Sequence, residues 1–181
     1  GRIFLVGTDS YGRDVFSRLL YGGRISLAAG LLAATISLLL ALLLGGIAGY
    51  YGGWVDGLIM RLAELFLSLP WLYMLFAVRA FLPLNLDASR AFFLIISLVG
   101  LISWALPARI IRGIVLTAKE RDFVLAARSF GAGDFYLLWR HILPQTLSVA
   151  LTQVALLVPA YILAEVTLSF LGLGVNEPVA S

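Results

Sequence analysis

Residues 25–48 form a run of about 24 positions without a single charged side chain. As an α-helix, such a run is long enough to cross a hydrocarbon core of roughly 30 Å. Inside a bilayer every backbone N–H and C=O needs a partner within the protein, and a helix supplies one for each. Composition points the same way. Apolar residues make up 61% of the chain, charged residues 13%, and the mean hydropathy is +1.01. The charged share is about half that of an ordinary soluble domain. A soluble fold of this size could not cover so much apolar surface with so few polar groups. The expected fold class is therefore all-α: a polytopic bundle of transmembrane helices.

Three further spans are expected, at 58–81, 91–116 and 147–171. In the second, Arg61 and Glu64 lie three residues apart, share a face and can pair. Pro70 sits in its middle and should kink it. The third is apolar over 91–108, contains Pro107, and leaves the membrane with Arg109 and Arg112. The fourth is interrupted by Pro159 and carries Glu165. Broken helices rely on neighbours to satisfy the freed carbonyls, which favours a bundle lining a path over a simple anchor. Gly45 with Gly49, and Gly30 with Ala34, have small-xxx-small spacing. That spacing fits either close helix packing or the ordinary tolerance of membrane helices for glycine.

The connections differ in kind. Residues 49–56 are short and glycine-rich, and residues 82–90 are short with Pro83 and Asn85 as turn formers. The long polar connection, 109–144, holds Arg109, Arg112, Lys119, Arg121, Arg128 and Arg140, six of the thirteen basic residues. By the positive-inside rule it is expected in the cytoplasm. Alternation then puts residues 1–24 and 82–90 outside. Arg2, Arg13, Arg18 and Arg24 fall on that outer side, so the rule supports the orientation through the densest cluster alone.

Several chemistries are excluded. There is no cysteine, and His141 is the single histidine, which rules out thiolate catalysis, Cys-based metal sites and multi-histidine metal sites. No G-x-x-x-x-G-K-[ST] occurs, so the chain has no P-loop, and neither H-E-x-x-H nor G-x-S-x-G is present. No metal site and no nucleic-acid partner are expected. Glu64 and Glu165 remain as acids at membrane depth, each a candidate for the translocation path or for a structural hydrogen bond. The sequence starts at Gly1 without a signal-peptide pattern, and a piece of a longer protein is expected.

Residues 119–144 read as two short amphipathic helices. Phe123, Ala127 and Phe130 lie at i, i+4, i+7, and Phe135, Leu138, Trp139 and Ile142 at i, i+3, i+4, i+7. Gly131-Ala132-Gly133 breaks the pattern between them. Glycine permits the positive φ of a helix end, and Asp134 can cap the next helix. The pair reads either as interfacial helices with aromatics at the headgroups or as a rigid element that docks on a partner.

The order Leu125-Ala126-Ala127, Gly131, then Leu143-Pro144 resembles the EAA loop of binding-protein-dependent ABC importer permeases. The usual motif opens E-A-A-x-x-x-G, and here Leu125 stands in the place of its Glu. Gly7-Thr8-Asp9, the stretch from Gly12 to Leu19, and Ala164-Glu165 with the stretch from Leu168 to Gly174 are similar to the dipeptide/oligopeptide branch of that family. The resemblance implies a type I importer fold with six spans. Four are read here, so the first and last are expected to be missing. It further implies a second permease subunit, two ATP-binding subunits carrying ATP and Mg, and an extracytoplasmic solute-binding protein. No cofactor is expected on this chain. Leu125, Ala126, Ala127, Gly131, Asp134, Leu143 and Pro144 would belong to a cytoplasmic coupling loop at about 117–145. The implied location is the plasma membrane of a prokaryote, bacterial inner membrane or archaeal cell membrane. The implied substrates are di- or oligopeptides, and in some systems nickel or sugars. An ion-coupled secondary transporter is the alternative. It would use intramembrane acids and broken helices without an ATPase. The amphipathic loop and the absence of a visible repeat argue against it.

Overall fold

A computed structural model of the chain describes residues 6–8, 11–70, 73–74, 76–77, 80 and 88–170, with the side chains of 25, 88–92, 165 and 168–170 excepted. The described helices are Val15–Tyr51 (α1), Gly53–Ser68 (α2), Ala88–Ile102 (α3), Ala105–Ala118 (α4), Asp122–Ser129 (α5) and Asp134–Tyr136 (α6). A π-helical segment, Leu137–Ile142, and a 3-10 turn, Leu143–Thr146, lead from α6 into Leu147–Phe170 (α7). Helix α1 and the run Asp134–Ala164 are each long and apolar enough to cross a membrane. The bent pair Phe93–Ile102 and Ala105–Ala118 adds a third crossing if it is one span.

Helix α1 is longer than the uncharged run inside it. At 1.5 Å per residue its 37 residues reach roughly 55 Å. Asp14 caps its start, accepting from the Phe16 N–H at 3.2 Å and the Ser17 hydroxyl at 2.6 Å. Its end is set by Gly52, whose φ of 66° lies in the left-handed region. The Gly52 N–H closes the last turn on the Ala48 carbonyl.

Among the described residues, α2, α3, α4 and α7 all pack on α1. The core divides into three groups along its length. Ala29, Ala33 and Ala34 meet Ile95, Ile96, Val99 and Tyr161. Ala41 meets Ala63, Trp104, Ala105 and Ala108. Tyr50 meets Ile111, Val115, Val124, Leu137 and Ile142, which puts the loop's inner face against the end of α1.

Both small-xxx-small pairs are used in packing. A β-carbon on Gly45 would run into the Ala108 carbonyl, and one on Gly49 would lie 2.8 Å from the Arg112 carbonyl oxygen. The missing β-carbons therefore let α1 and α4 approach backbone to backbone. Gly30 meets Val158 and Ile162 of α7, and Ala34 is fully buried.

The prolines act differently from one another. The second span does not run through Pro70 as one kinked helix: it breaks there, and the described residues 73–74, 76–77 and 80 are helical again, with the Met74 N–H on the Pro70 carbonyl. Helix α2 starts at Gly53 and stops at Ser68, and Leu69 is extended with φ −78° and ψ 130°. The Pro70 ring disfavours helical geometry in the residue before it, so the helix ends there. The third span is two helices meeting at 41°. Pro107 lies in the first turn of α4, where a missing N–H leaves little unsatisfied. Pro159 does not interrupt the fourth span, because α7 continues through it. Half of residues 70–81, the connection 82–87 and everything from Leu171 onward lie outside the described residues. So does the side chain of Glu165.

Candidate functional site

The polar connection forms a compact cap on the end of α1. Helix α5 ends in a left-handed glycine, Gly131, at φ 85°. The Ala132 N–H bonds to the Ala127 carbonyl and the Gly131 N–H to the Arg128 carbonyl, at 3.1 and 3.0 Å. These two bonds define a Schellman end, and the apolar contact that accompanies such ends is present in Ala127 and Ala132, both packed on the buried group around Tyr50.

The second half departs from two separate short helices. Helix α6 runs without a break through the π-helical segment into α7. Pro144 explains the change of register. It offers no N–H to the carbonyl four residues back and its ring crowds the preceding turn. Upstream, the Leu143 N–H bonds to the Leu138 carbonyl, five residues back. Polar side chains then serve nearby carbonyls: Gln145 Nε2 donates to His141 at 2.8 Å and the Thr146 hydroxyl to Leu143 at 2.7 Å. The wide turn also changes which side chains face inward. Leu137, Leu138 and Ile142 are buried, while Phe135 and Trp139 are exposed.

The face of α5 likewise differs from the periodicity. Val124 is fully buried and Ala127 half-buried, whereas Phe123 is exposed and Phe130 is 92% exposed. The family-like residues thus divide. Ala127 and Leu143 hold the loop to the bundle, and Leu143 Cδ2 lies 3.1 Å from where a Gly46 β-carbon would be. Leu125, Ala126, Gly131 and Pro144 face outward.

Asp134 does not cap its helix. The N-cap is Gly133, with no side-chain cap bond, and Asp134 is the first helical residue. Its carboxylate accepts from the Tyr50 hydroxyl at 2.6 Å. That hydroxyl also accepts from Arg128 Nη2 at 3.0 Å, and Arg128 lies 3.8 Å from Asp134. The hydrogen bond to Tyr50 raises the already high pKa of Arg128, so its charge is permanent at physiological pH. Lys119 Nζ adds a second tie, donating to the Gly49 carbonyl at 3.1 Å. This carbonyl belongs to the last turn of α1, where acceptors lack helical donors and a cation is favoured. Arg121 reaches Gln145 at 2.9 Å and closes the base of the loop.

On the same side, Asp56 and Arg112 form a two-pronged ion pair joining the first turn of α2 to α4. Sequence reading missed it because the partners are 56 residues apart. The visible signal was an acid at one membrane boundary and the bases Arg109 and Arg112 at another. The expected Arg61–Glu64 pair does not form among the described residues, and both side chains are exposed. Arg placed N-terminal to Glu is the weaker orientation for a helical pair. Both line an open recess of about 320 Å³ with Asp56, Met60, Arg109 and Arg112.

Asp56→Asn is expected to lower the stability of the detergent-solubilised protein by about 1–2 kcal/mol. That lies between the ~0.5 kcal/mol of an exposed pair and the ~3 kcal/mol of a buried one, because the two side chains are 16% and 33% exposed. Arg112→Lys should cost nearly as much, since an ammonium cannot reproduce the fork. Thermal unfolding followed by tryptophan fluorescence checks both, and an unchanged midpoint would remove the pair from the account of stability.

The chain is similar to known transport proteins over almost its whole length. It is 42% identical over 175 residues to the dipeptide transport system permease protein DppC of Bacillus subtilis, covering 97% of this chain and 53% of that protein. It is 40% identical to the oligopeptide transport system permease protein OppC of the same organism, covering 97% and 55%. It is 37% identical to the glutathione transport system permease protein GsiD of Pectobacterium atrosepticum, covering 96% and 56%. The chain therefore spans about half the length of these relatives. The model of one family, described as the binding-protein-dependent transport system inner membrane component, matches residues 41–180, which include the whole cap and the end of α1 that it sits on. On that match and these identities, the chain belongs to the family of binding-protein-dependent transport system inner membrane components.

Proposed function

We propose that the chain is part of a permease subunit of an ATP-driven importer of di- or oligopeptides in a prokaryotic plasma membrane. One observation carries the reading. The cap of residues 119–144 is fastened inward through Lys119, Arg128 and Asp134, yet it shows an apolar face outward. Leu125, Phe130, Phe135 and Tyr136 are 46%, 92%, 72% and 53% exposed there. Several large apolar side chains left exposed on a charged, inwardly fastened element are the character of a protein docking site. The chain has no P-loop, so ATP and Mg belong to a partner that this surface would receive. A second permease subunit and an extracytoplasmic solute-binding protein complete the proposed assembly. The basic cluster supports a cytoplasmic position for the cap. The names of the relatives support a peptide substrate. Leu125, where the motif has Glu, makes the contact apolar at that point. Glu64 and Glu165 stay as candidates for the path.

The test is an exposed change that leaves the inner fastening untouched. Phe130→Asp should reach the membrane at wild-type abundance, because the ring has almost no contacts to lose. Association with the ATPase should weaken roughly 30-fold, as expected for an aromatic anchor worth about 2 kcal/mol. Copurification from membranes measures it, and undiminished copurification would count against docking through this face.

A further inference from the structure

We infer that Tyr50 is a positioning residue that latches the two-helix cap to α1, so that displacement of the cap by a partner becomes displacement of α1. The inference rests on the proposed docking role of the cap. Its ground is that one hydroxyl holds both sides of the glycine turn. Arg128 comes from the last turn of α5, before Gly131, and Asp134 opens the helix after it. The Tyr50 hydroxyl donates to Asp134 at 2.6 Å and accepts from Arg128 at 3.0 Å. The Arg128 guanidinium also lies 5.9 Å from the centre of the Tyr50 ring.

The three groups are not equivalent. The Arg128 and Asp134 side chains are 51% and 60% exposed, and an exposed pair at 3.8 Å contributes little by itself. Tyr50 is only 7% exposed, with its ring packed in the core at the end of α1. Its hydroxyl is both donor and acceptor, which lets it join a cation and an anion at one point. Lys119 ties the start of the cap to the neighbouring carbonyls of Gly49 and Tyr50, at 3.1 and 3.5 Å. The polar ties of the cap to α1 therefore fall within its last three residues. Above this point α1 touches α4 backbone to backbone at Gly45 and Gly49. A pull on Tyr50 acts one residue from the Gly49 contact with the Arg112 carbonyl, and so reaches α4 at a point of backbone contact.

The experiment uses the intact transporter, with its ATPases and solute-binding protein, reconstituted in lipid vesicles. The quantity is labelled dipeptide imported per ATP hydrolysed. Tyr50→Phe keeps the buried ring and removes only the hydroxyl. ATPase copurification should match wild type, because the docking face is untouched, while the transport ratio should fall at least fivefold. A purely structural role would lower abundance or the unfolding midpoint and leave that ratio alone. A ratio within twofold of wild type would overturn the latch. If Tyr50→Phe fails to assemble, Asp134→Ala, which removes the acceptor of the Tyr50 hydroxyl, carries the same requirement, and an unchanged ratio there overturns it equally. The double variant should be no worse than the poorer single one, since both cut the same connection. Additive losses would refute a single latch. Failure of the wild-type chain to copurify an ATPase is a different result: it would sink the proposed function, and this inference with it.

Discussion

Gly131→Val is expected to leave the protein in the membrane and to cut ATP-driven uptake at least tenfold. Gly131 holds φ 85°, and no atom lies within 4 Å of where its β-carbon would be. The penalty is therefore conformational, not steric. A residue with a β-carbon costs about 1–2 kcal/mol in the left-handed region, and a β-branched one more. The Schellman bonds from Ala132 and Gly131 depend on that conformation. Losing them frees α5 to swing relative to α6 and separates Arg128 from Asp134 across the turn. The membrane helices have their own packing on α1, so insertion should persist. The open space supplies a graded control. Asn tolerates the left-handed region and should retain most of the uptake, with Ala between Asn and Val. Equal loss in Asn and Val would show that something other than backbone conformation is responsible. Wild-type uptake and ATPase copurification in Gly131→Val would remove residues 119–144 from the coupling role.

Gly45→Val is expected to be the most damaging single change to the bundle itself. Even a β-carbon at this position collides with the Ala108 carbonyl, and backbone cannot move aside as a flexible side chain does. Helices α1 and α4 must separate, which opens the buried group of Ala41, Ala63, Trp104, Ala105 and Ala108. Overpacking of this kind costs about 1–3 kcal/mol, occasionally more, and the upper end is expected here. Close packing is the main force between helices in lipid, where no hydrophobic drive brings them together. Gly113 provides the comparison on α4, since nothing lies within 4 Å of its β-carbon position. Gly113→Ala should be neutral or gain up to about 1 kcal/mol from helix propensity. Unfolding midpoints in detergent and the yield of folded protein from membranes decide between the two. If both glycines tolerate substitution equally, the interface between α1 and α4 is looser than described.

These expectations show how much of the protein is legible in one dimension. Gly131 was readable as a helix end because its requirement is local: a left-handed residue between two short amphipathic runs. The uncharged run at 25–48 was readable because solvation by lipid acts on each residue separately. Pro70 was visible as a disturbance, but kink and termination differ only in whether Leu69 is held extended. Periodicity failed in the cap for a definable reason. An i, i+3, i+4, i+7 pattern assumes 3.6 residues per turn, and Leu137–Ile142 is π-helical. The shift brought Leu137 inward and turned Phe135 and Trp139 outward.

The sequence by itself determined that the chain is helical, that it lies in a membrane, and that a glycine turn divides a basic connection between two spans. Each of these follows from properties that residues carry with them or share with neighbours a few positions away. The tertiary structure alone decided which charges meet and which small residues touch. Asp56 chose Arg112 over the basic residue nearest it in its own helix, and Tyr50 found Asp134 from 84 positions away. Gly45 and Gly49 became a contact surface only because α4 lies across them. Pairing of this kind depends on the path of the backbone through space. A hydroxyl or carboxylate carries no mark in sequence of the partner that a distant helix will bring within 3 Å.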